Sequence, residues 1–332
     1  MTDRPIVIAG AGSIGCFVGG ILARAGRPVR LLVRPRVAAE IEANGLQVSS
    51  FEGLDERIDA SRLGLSQDPA VFENAAIVLV TVKSDDTPEI AGLIARHAPA
   101  DAVIVSLQNG VGNAALLRQH LPDRSVLAGM VPFNVLTAGA GRYHRATSGD
   151  ILIDADQAGT SARLSVPGLG VRPHVDMTGI QWGKLLVNLN NALNALSNLP
   201  LRDQLAQRSW RQLFADQMAE ALLVMKAAGI HPVATTPLPA SWSPAILRLP
   251  DALFQIVAKQ MVKIDPKARS SMWEDLTRGR RTEIDHLQGT IIGLAVKHGI
   301  AAPLSRRIVT LIKEAEAAGK GPPGLTPAQI RG

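Results

Sequence analysis

The feature that most constrains this chain is a predicted strand, glycine turn and helix start close to residue 1. Residues 6–9 read Ile-Val-Ile-Ala, and glycines follow in the spacing G-x-G-x-x-G, at Gly10, Gly12 and Gly15. The first glycine allows a tight turn, the second lets a pyrophosphate approach the backbone, and the third lets helix and strand pack closely. The N–H groups at the helix start, including those of Ser13 and Ile14, would point at the phosphates. The pattern predicts dinucleotide binding, with a purely structural glycine turn as the alternative.

The end of the second predicted strand, residues 29–33, indicates which dinucleotide binds. An NAD site usually has Asp or Glu there, which accepts a hydrogen bond from the ribose 2′-hydroxyl. This chain has Arg34 instead, and its next acidic residue is Glu40. Because a guanidinium suits a 2′-phosphate and cannot accept a hydrogen bond, we expect NADP(H). The alternative is a solvated surface arginine.

Composition narrows the class of protein. The 332 residues are 46% hydrophobic, which is enough for two domains with a core each. Aromatic residues make up only 3%, and the net charge of +6 is scattered, so we expect steering of anionic substrates and no nucleic-acid surface. The single cysteine, Cys16, excludes an intrachain disulfide, and the histidine spacing indicates no metal site. No run of 18 residues is free of charge or turn signals, so we expect no membrane span and a cytoplasmic location.

Two buried strands are predicted at residues 75–82 and 102–107, with Lys83 and Asn109 just after them. Ligands of open α/β sheets bind beyond the carboxyl ends of such strands, so both residues are expected near the cofactor. The alternatives are a surface lysine and a plain turn. Another strand is predicted at 125–130, and residues 142–154 and 162–175 are interpreted as strand and turn pieces at the end of the same sheet.

From residue 177 onward the apolar pattern has the period of helices, as in Leu186, Leu189, Leu193 and Leu196. Further helices are predicted at 202–228, 271–278, 283–297 and 304–318. Residues 232–250, rich in Pro, Ala and Ser, are interpreted as a long loop or insertion. The predicted fold is α/β: a doubly wound Rossmann domain at 1–176, an all-helical domain at 177–320, and a flexible tail at 321–332.

The first helix of the second half has a polar face. Lys184, Asn188 and Asn191 are spaced by four and three residues and therefore lie on one side. This stretch also contains several asparagines, which disfavour a helix, at 188, 190, 191, 194 and 198. A polar face that lines a cleft explains them better than the alternative, a solvated face.

Two further sites follow the pattern of a capping box. Ser271 is followed by Glu274, and Thr282 by Asp285. Ser271 is therefore interpreted either as an N-cap or as a hydroxyl that binds a substrate carboxylate at a helix start. Glu283 would open a helix and offset its dipole.

Five motifs in this order resemble the ketopantoate reductase (2-dehydropantoate 2-reductase) family. They are Gly10-Ala-Gly-Ser-Ile-Gly15, Val82-Lys-Ser84, Leu107-Gln-Asn-Gly-Val-Gly112, Trp182-Gly-Lys-Leu-Leu-Val-Asn188, and Ser271-Met272 followed by Thr282-Glu-Ile-Asp285. The resemblance covers residues 6–315. It implies a Rossmann domain, a helical domain, and NADPH-dependent reduction of a 2-oxo acid in the cleft between them.

The resemblance also implies roles for individual residues. Lys184 matches the general acid and Glu283 a residue that assists it, while Lys83 and Asn109 match cofactor-side residues. Asn188 and Ser271 match substrate-binding residues, and we add Asn109 and Asn191 to the substrate side. The chain departs from the family at Ala192, where members often carry an asparagine that Asn191 or Asn194 could replace.

The sequence therefore predicts an enzyme that reduces 2-dehydropantoate to pantoate with NADPH, a step of pantothenate biosynthesis. Ala192 leaves open a related 2-oxo acid reductase or D-2-hydroxyacid dehydrogenase with a more apolar substrate. The alternative from another class is a non-catalytic NADP(H)-binding regulatory protein, which would need neither Lys184 nor Glu283. The oligomeric state is left open, with a homodimer as the candidate assembly.

Overall fold

The computed structural model describes residues 4–234, 239–258 and 268–332. The chain divides into two compact units, Met1–Met177 and Thr178–Gly332. The first unit combines strands and helices, and the described part of the second consists of helices, as the sequence predicts. None of the helices in the described ranges combines the length and hydrophobicity that a membrane span requires.

The first unit is built on short strands connected mainly by helices and turns. Its strands are β1 (Ile6–Ala9), β2 (Val29–Leu32), β3 (Leu46–Ser50), β4 (Asp55–Ile58), β5 (Leu63–Ser66), β6 (Ile77–Val80), β7 (Val103–Ser106), β8 (Val126–Met130), β9 (Val135–Gly139), β10 (Arg142–Arg145), β11 (Ile151–Asp154) and β12 (Val171–His174). Its helices are α1 (Ser13–Arg24), α2 (Pro35–Asn44), α3 (Thr87–His97), α4 (Asn113–His120) and α5 (Thr160–Leu164).

The main sheet has the strand order β12-β11-β8-β7-β6-β1-β2-β5. Its strands from β8 to β5 run parallel, and the order reverses between β1 and β6, as in a doubly wound fold. Apolar cores cover both faces. In β1, for example, Ile6 and Ile8 belong to one core and Val7 and Ala9 to the other. This burial on both sides explains why the strand is apolar throughout.

The expectation for residues 142–154 and 162–175 is partly wrong. β11 and β12 extend the main sheet, but β10 joins β3, β4 and β9 in a separate four-stranded sheet. Residues 160–164 form helix α5, not a strand. The reason is tertiary, because β10 pairs in parallel with β3, a strand nearly a hundred residues earlier in the chain.

The helices of the second unit begin at the unit boundary. They are α6 (Met177–Asn188), α7 (Asn190–Ser197), α8 (Leu201–Ala206), α9 (Arg208–Ala227), α10 (Ser243–Leu247), α11 (Asp251–Ala258), α12 (Ser271–Thr277), α13 (Gln288–Lys297), α14 (Pro303–Ala318) and α15 (Pro327–Arg331). The leucines predicted to form an apolar stripe are buried, at 186, 189, 193 and 196. They lie on two helices rather than one, although Leu189 at the junction keeps helical backbone angles.

Two expectations about irregular segments are wrong. Residues 240–247 of the predicted loop at 232–250 form a 3-10 turn and α10, while 235–238 lie outside the described residues. The end of the chain is no flexible tail, because α15 is capped by Thr326 and Ile330 is fully buried. The N–H of Leu325 also donates to the carbonyl of Leu196, at 2.8 Å.

Candidate active site

In the glycine turn after β1, the surroundings of each glycine differ in whether they leave room for a Cβ. Gly10 has a φ of 102°, and a Cβ there would lie 2.6 Å from Cγ1 of Val82. A Cβ on Gly15 would overlap the carbonyl oxygen of Gly10, which also accepts a hydrogen bond from the Thr81 hydroxyl at 2.5 Å. A Cβ on Gly12, in contrast, would meet nothing within 4 Å. The backbone at Gly12 is therefore open to a group that approaches from outside.

The start of α1 can bind an anion. Gly12 is its N-cap, and no side chain caps the helix. The first N–H groups of a helix, here those of Ser13 and Ile14, have no acceptor within the helix. They add to the positive end of the helix dipole, so the turn has the donors and the space that a pyrophosphate needs.

The other predicted cofactor residues lie after neighbouring strands of the same sheet edge. Arg34 follows β2 and is the N-cap residue of α2, with an exposed side chain. Lys83 follows β6 and Asn109 follows β7, and both are exposed. Since β2, β1, β6 and β7 are parallel neighbours, the structure brings these three residues to the carboxyl edge that holds the glycine turn.

A buried polar cluster connects the segments that carry Lys83 and Asn109. Nδ2 of Asn113 donates to the hydroxyl of Ser84 at 3.1 Å and to the carbonyl of Asn109 at 2.8 Å. Nε2 of Gln108 donates to Oγ1 of Thr87 at 2.7 Å. Sequence reasoning did not assign Gln108, which lies within the motif Leu107–Gly112, or Asn113, which directly follows it.

Lys184 occupies a tightly packed part of α6. Gly183, directly before it, has no room for a Cβ, because the carbonyl oxygen of Val233 lies against its Cα. The N–H of Val233 donates to the carbonyl of Gly179 at 2.8 Å, so the segment after α9 runs along this face of α6. Lys184 is half-buried as a residue, and desolvation of its ammonium lowers its pKa from 10.5 to about 8.

The structure separates the asparagines of α6 and α7 into two groups. Asn194 is fully buried and uses its whole amide: Nδ2 donates to the Leu199 carbonyl at 2.9 Å and to Oε1 of Gln204 at 3.1 Å, and Oδ1 accepts from the N–H of Ser270 at 2.9 Å. Asn190 bonds to Gln204 as well, and Oδ1 of Asn198 accepts from Nε1 of Trp273 at 2.8 Å. These three asparagines are structural, so the interpretation of all five as one cleft face is wrong.

Asn188 and Asn191 form the second group. Asn188 is buried, Asn191 is half-buried, and neither side-chain amide makes a hydrogen bond within the described part of the chain. They lie three residues apart, and Asn188 lies one turn after Lys184. These two amides therefore have the unused donors and acceptors that a polar substrate needs, whereas Asn194 cannot replace an asparagine at position 192.

Ser271 is not the N-cap of its helix. That role belongs to Ser270, whose hydroxyl accepts from the N–H of Trp273 at 3.1 Å and donates to the carbonyl of Asn191 at 2.9 Å. The N-cap is therefore one residue earlier than expected, and the predicted capping box of Ser271 and Glu274 does not form. Ser271 itself is exposed in the first turn of α12, and the bonds of Ser270 fix that turn against α7.

Glu283 does not open an α-helix, and the predicted capping box of Thr282 and Asp285 does not form. Glu283 precedes a 3-10 turn, Ile284–His286, and is half-buried. Bonds to α14 hold this turn: the N–H of Thr282 donates to Glu316 at 2.7 Å, and Asp285 pairs with Lys313 at 2.8 Å. The helix α13 begins after it.

The start of α13 lies against the junction of α6 and α7. Nε2 of Gln288, the first residue of α13, donates to the carbonyl of Leu189 at 2.9 Å. Asn188 is the neighbour of Leu189 in the chain, so this bond places Gln288, five residues after Glu283, beside the junction that carries Asn188. The second unit thus carries Lys184, Asn188, Asn191, Ser271 and Glu283, and the first carries the predicted cofactor residues.

Two family models match this chain. The model described as ketopantoate reductase PanE/ApbA matches residues 6–157, and its C-terminal counterpart matches residues 176–316. A 2-dehydropantoate 2-reductase of Halobacterium salinarum is 29% identical over 323 residues, which are 95% of this chain and 99% of the relative.

Solved structures show the same likeness. A PanE/ApbA family ketopantoate reductase of Ralstonia eutropha JMP134 is 32% identical and superimposes with a TM-score of 0.81, over 95% of this chain and 99% of the other. D-mandelate dehydrogenase, solved with NADH and anilino(oxo)acetate, is 20% identical with a TM-score of 0.76, over 95% of this chain and 99% of the other. At that identity the likeness concerns the fold alone.

Proposed function

The chain belongs to the ketopantoate reductase PanE/ApbA family, and from that premise we propose that it reduces a 2-oxo acid to a 2-hydroxy acid with NADPH. The family places it among the oxidoreductases that act on CH–OH groups. The proposed substrate is 2-dehydropantoate, the proposed product is pantoate, and the proposed pathway is pantothenate biosynthesis.

The observation that carries the proposal is the group formed by Lys184, Asn188 and Asn191. A half-buried lysine with a lowered pKa lies one turn from Asn188, and the side-chain amides of Asn188 and Asn191 make no hydrogen bond within the described residues. Such a group suits a substrate that needs both a proton and hydrogen bonds to its oxygens. A purely cofactor-binding regulatory protein would have no use for it.

The residues of the first unit fit the proposed cofactor. The open backbone at Gly12 and the uncapped start of α1 would hold the pyrophosphate, and Arg34 would bind the 2′-phosphate. When bound, NADPH supplies the hydride that reduces the carbonyl carbon of the substrate. The exposed Lys83 and Asn109 lie at the same sheet edge and would contact the cofactor, with Asn109 also available to the substrate.

The residues of the second unit would bind the substrate and donate the proton that its reduction requires. The Lys184 ammonium donates its proton to the carbonyl oxygen as negative charge develops there, a form of general acid catalysis. Asn188 and Asn191 bind the substrate oxygens, and Ser271 binds its carboxylate. Glu283 orients the lysine through a charge-assisted hydrogen bond. Solvent then restores the proton on Lys184.

The test is a panel of 2-oxo acids assayed by loss of NADPH absorbance, with NADH in parallel. We expect 2-dehydropantoate to give the highest kcat/KM, and NADPH to be preferred over NADH. Binding of NADPH without turnover of any 2-oxo acid would favour the regulatory alternative instead.

A second candidate is reduction of a more apolar 2-oxo acid, and Ala192 favours it. Ala192 is fully buried, and the structure removes Asn194 as its replacement, so only Asn191 is left for that role. A missing hydrogen bond to a buried polar group costs about 1–3 kcal/mol, and an apolar substrate would avoid this cost.

The variant Ala192→Asn separates the two candidates. If the native substrate is apolar, the added amide should lower kcat/KM for it by about tenfold and favour 2-dehydropantoate. If wild type already prefers 2-dehydropantoate and Asn191→Ala lowers that preference, Asn191 fills the role. Because position 192 is buried, thermal unfolding of each variant must be measured beside its kinetics.

A further inference from the structure

An ion pair spans the carboxyl end of β1 at the place where the strand order reverses. Arg34 follows β2 on one side of β1, and Asp86 ends a 3-10 turn, Ser84–Asp86, after β6 on the other side. Nη2 of Arg34 lies 3.8 Å from Oδ2 of Asp86. Their side chains are 87% and 44% exposed. The glycine turn begins between them, so the pair borders the predicted cofactor site.

The two residues of this ion pair differ in how freely they can move. The separation is too long for a hydrogen bond, and exposed ion pairs of this kind are weak, so Arg34 can turn towards another anion at little cost. Asp86 is held by its backbone, because its N–H donates to the Lys83 carbonyl at 3.0 Å and the next residue, Thr87, is fully buried. The Asp86 carboxylate does not cap α3 and makes no hydrogen bond in the described ranges. The fixed backbone of Asp86 therefore keeps the carboxylate within reach of Arg34.

We propose that Asp86 is a cofactor-selectivity residue that opposes Arg34. The proposal rests on the proposed function, in which Arg34 binds the 2′-phosphate of NADPH. A phosphate in hydrogen-bond contact with this guanidinium comes within about 8–10 Å of the Asp86 carboxylate, a distance over which physiological salt screens charges incompletely. Asp86 repels the phosphate but not the uncharged 2′-hydroxyl of NADH. Asp86 therefore reduces the ratio of NADPH affinity to NADH affinity that Arg34 creates, and the chain retains affinity for NADH.

The experiment measures the Kd of NADPH and of NADH for the full chain without substrate, by fluorescence titration. Asp86→Asn should lower the Kd of NADPH by about two- to tenfold and change that of NADH by less than about twofold. The gain should shrink as salt is added, because it is electrostatic. The matched control is Glu42→Gln, which removes one negative charge from an exposed position on α2 and should leave both Kd values unchanged.

Two outcomes would overturn the proposal. If Asp86→Asn weakens NADPH binding, the carboxylate positions Arg34 instead of opposing it. If both cofactors change equally, Asp86 does not act on the 2′-phosphate.

Failure of the proposed function would look different, because Arg34→Ala would then leave NADPH affinity unchanged, whatever Asp86 does. In the double variant Arg34→Ala/Asp86→Asn, we expect the NADPH Kd to lie between those of the two single variants. If Asp86→Asn lowers the NADPH Kd but not the NADH Kd in the Arg34→Ala background as well, the carboxylate acts on the phosphate itself and not through Arg34.

Discussion

At the scale of single residues, Lys184 stands out because its burial destabilises the charged form of its side chain. Desolvation lowers its pKa to about 8, so the ammonium releases its proton more readily than an exposed lysine does. A general acid works best when its pKa lies near the operating pH. Burial of the ammonium costs stability in full below about pH 8, and this cost is lost between about pH 8 and 10.5, but the same burial would suit Lys184 to its proposed role as a proton donor.

The pH dependence of reduction should reveal this donor. In the proposed mechanism the protonated lysine is the active form, so kcat/KM for reduction should be constant below about pH 8 and fall about tenfold per pH unit above it. Oxidation of the 2-hydroxy acid needs the neutral amine, so its rate should rise through the same pH. Lys184→Met should lower kcat by on the order of 10²-fold or more, with NADPH Kd unchanged.

The control is Lys184→Arg, which keeps the positive charge but does not lose its proton in this range. Its residual activity should show no decline near pH 8. A decline at the same pH in this variant would assign the titration to another group.

At the scale of elements, the helices α6 and α7 carry structural asparagines beside the asparagines that we propose bind the substrate. Asn194 connects α7 to the segments before α8 and α12, while Asn188, at the end of α6, makes no side-chain hydrogen bond in the described residues. The same residue type therefore has two uses, which stability and kinetics should separate.

We expect Asn194→Ala to lower the free energy of unfolding by about 1–3 kcal/mol, because it leaves the Ser270 N–H without its partner and removes one of the two amide donors to Oε1 of Gln204. Asn188→Ala should change the free energy of unfolding by less than about 0.5 kcal/mol and raise the substrate KM, with NADPH Kd unchanged. Urea unfolding and steady-state kinetics provide the two measurements, and each variant serves as the control for the other. A stability loss in Asn188→Ala as large as that in Asn194→Ala would contradict the division.

At the scale of the whole molecule, the stability of the helical unit depends on a buried arginine. Arg211 of α9 is 1% exposed, and its guanidinium pairs with Asp251 at 2.6 Å and lies 4.2 Å from the ring centre of Phe254. It also donates to carbonyl groups near the ends of α8 and α10, at Leu205, Ala206, Leu247 and Leu249. These carbonyls lie in the last turn of a helix or, for Leu249, just after one, where no N–H of the same helix reaches them. The arginine therefore joins four helices through groups that would otherwise be unsatisfied.

Arg211→Met should therefore cost roughly 3–5 kcal/mol of unfolding free energy, the usual result when one member of a buried charged network is removed. The matched control is Arg208→Met, on the same helix but exposed, which should cost less than about 0.5 kcal/mol. Both free energies of unfolding are measured in urea. If Arg211→Met loses no more stability than Arg208→Met, the network around Arg211 contributes little to the stability of the chain.

The local elements of this protein could be predicted from the sequence. The apolar run before Gly10 and the glycine spacing predict the first strand and the start of α1, and the leucine period predicts the helices of the second half. Such patterns depend on neighbouring residues in the chain, because strands alternate and helices repeat over a few residues. The sequence thereby determined the fold class, the family resemblance and the candidate residues.

The tertiary structure alone decided how those residues are used. In the folded chain the side chain of Asn194 accepts a hydrogen bond from the N–H of Ser270, 76 positions away. Asp86 lies beside Arg34, and β10 pairs with β3 in a separate sheet. The last residues are also docked through the buried Ile330. Each of these outcomes depends on a partner that is distant in the chain, and a hydrogen bond, an ion pair or a buried contact forms only when folding brings the two together. For that reason the five asparagines look alike in the sequence, and only the folded chain shows which two have amides left for a ligand.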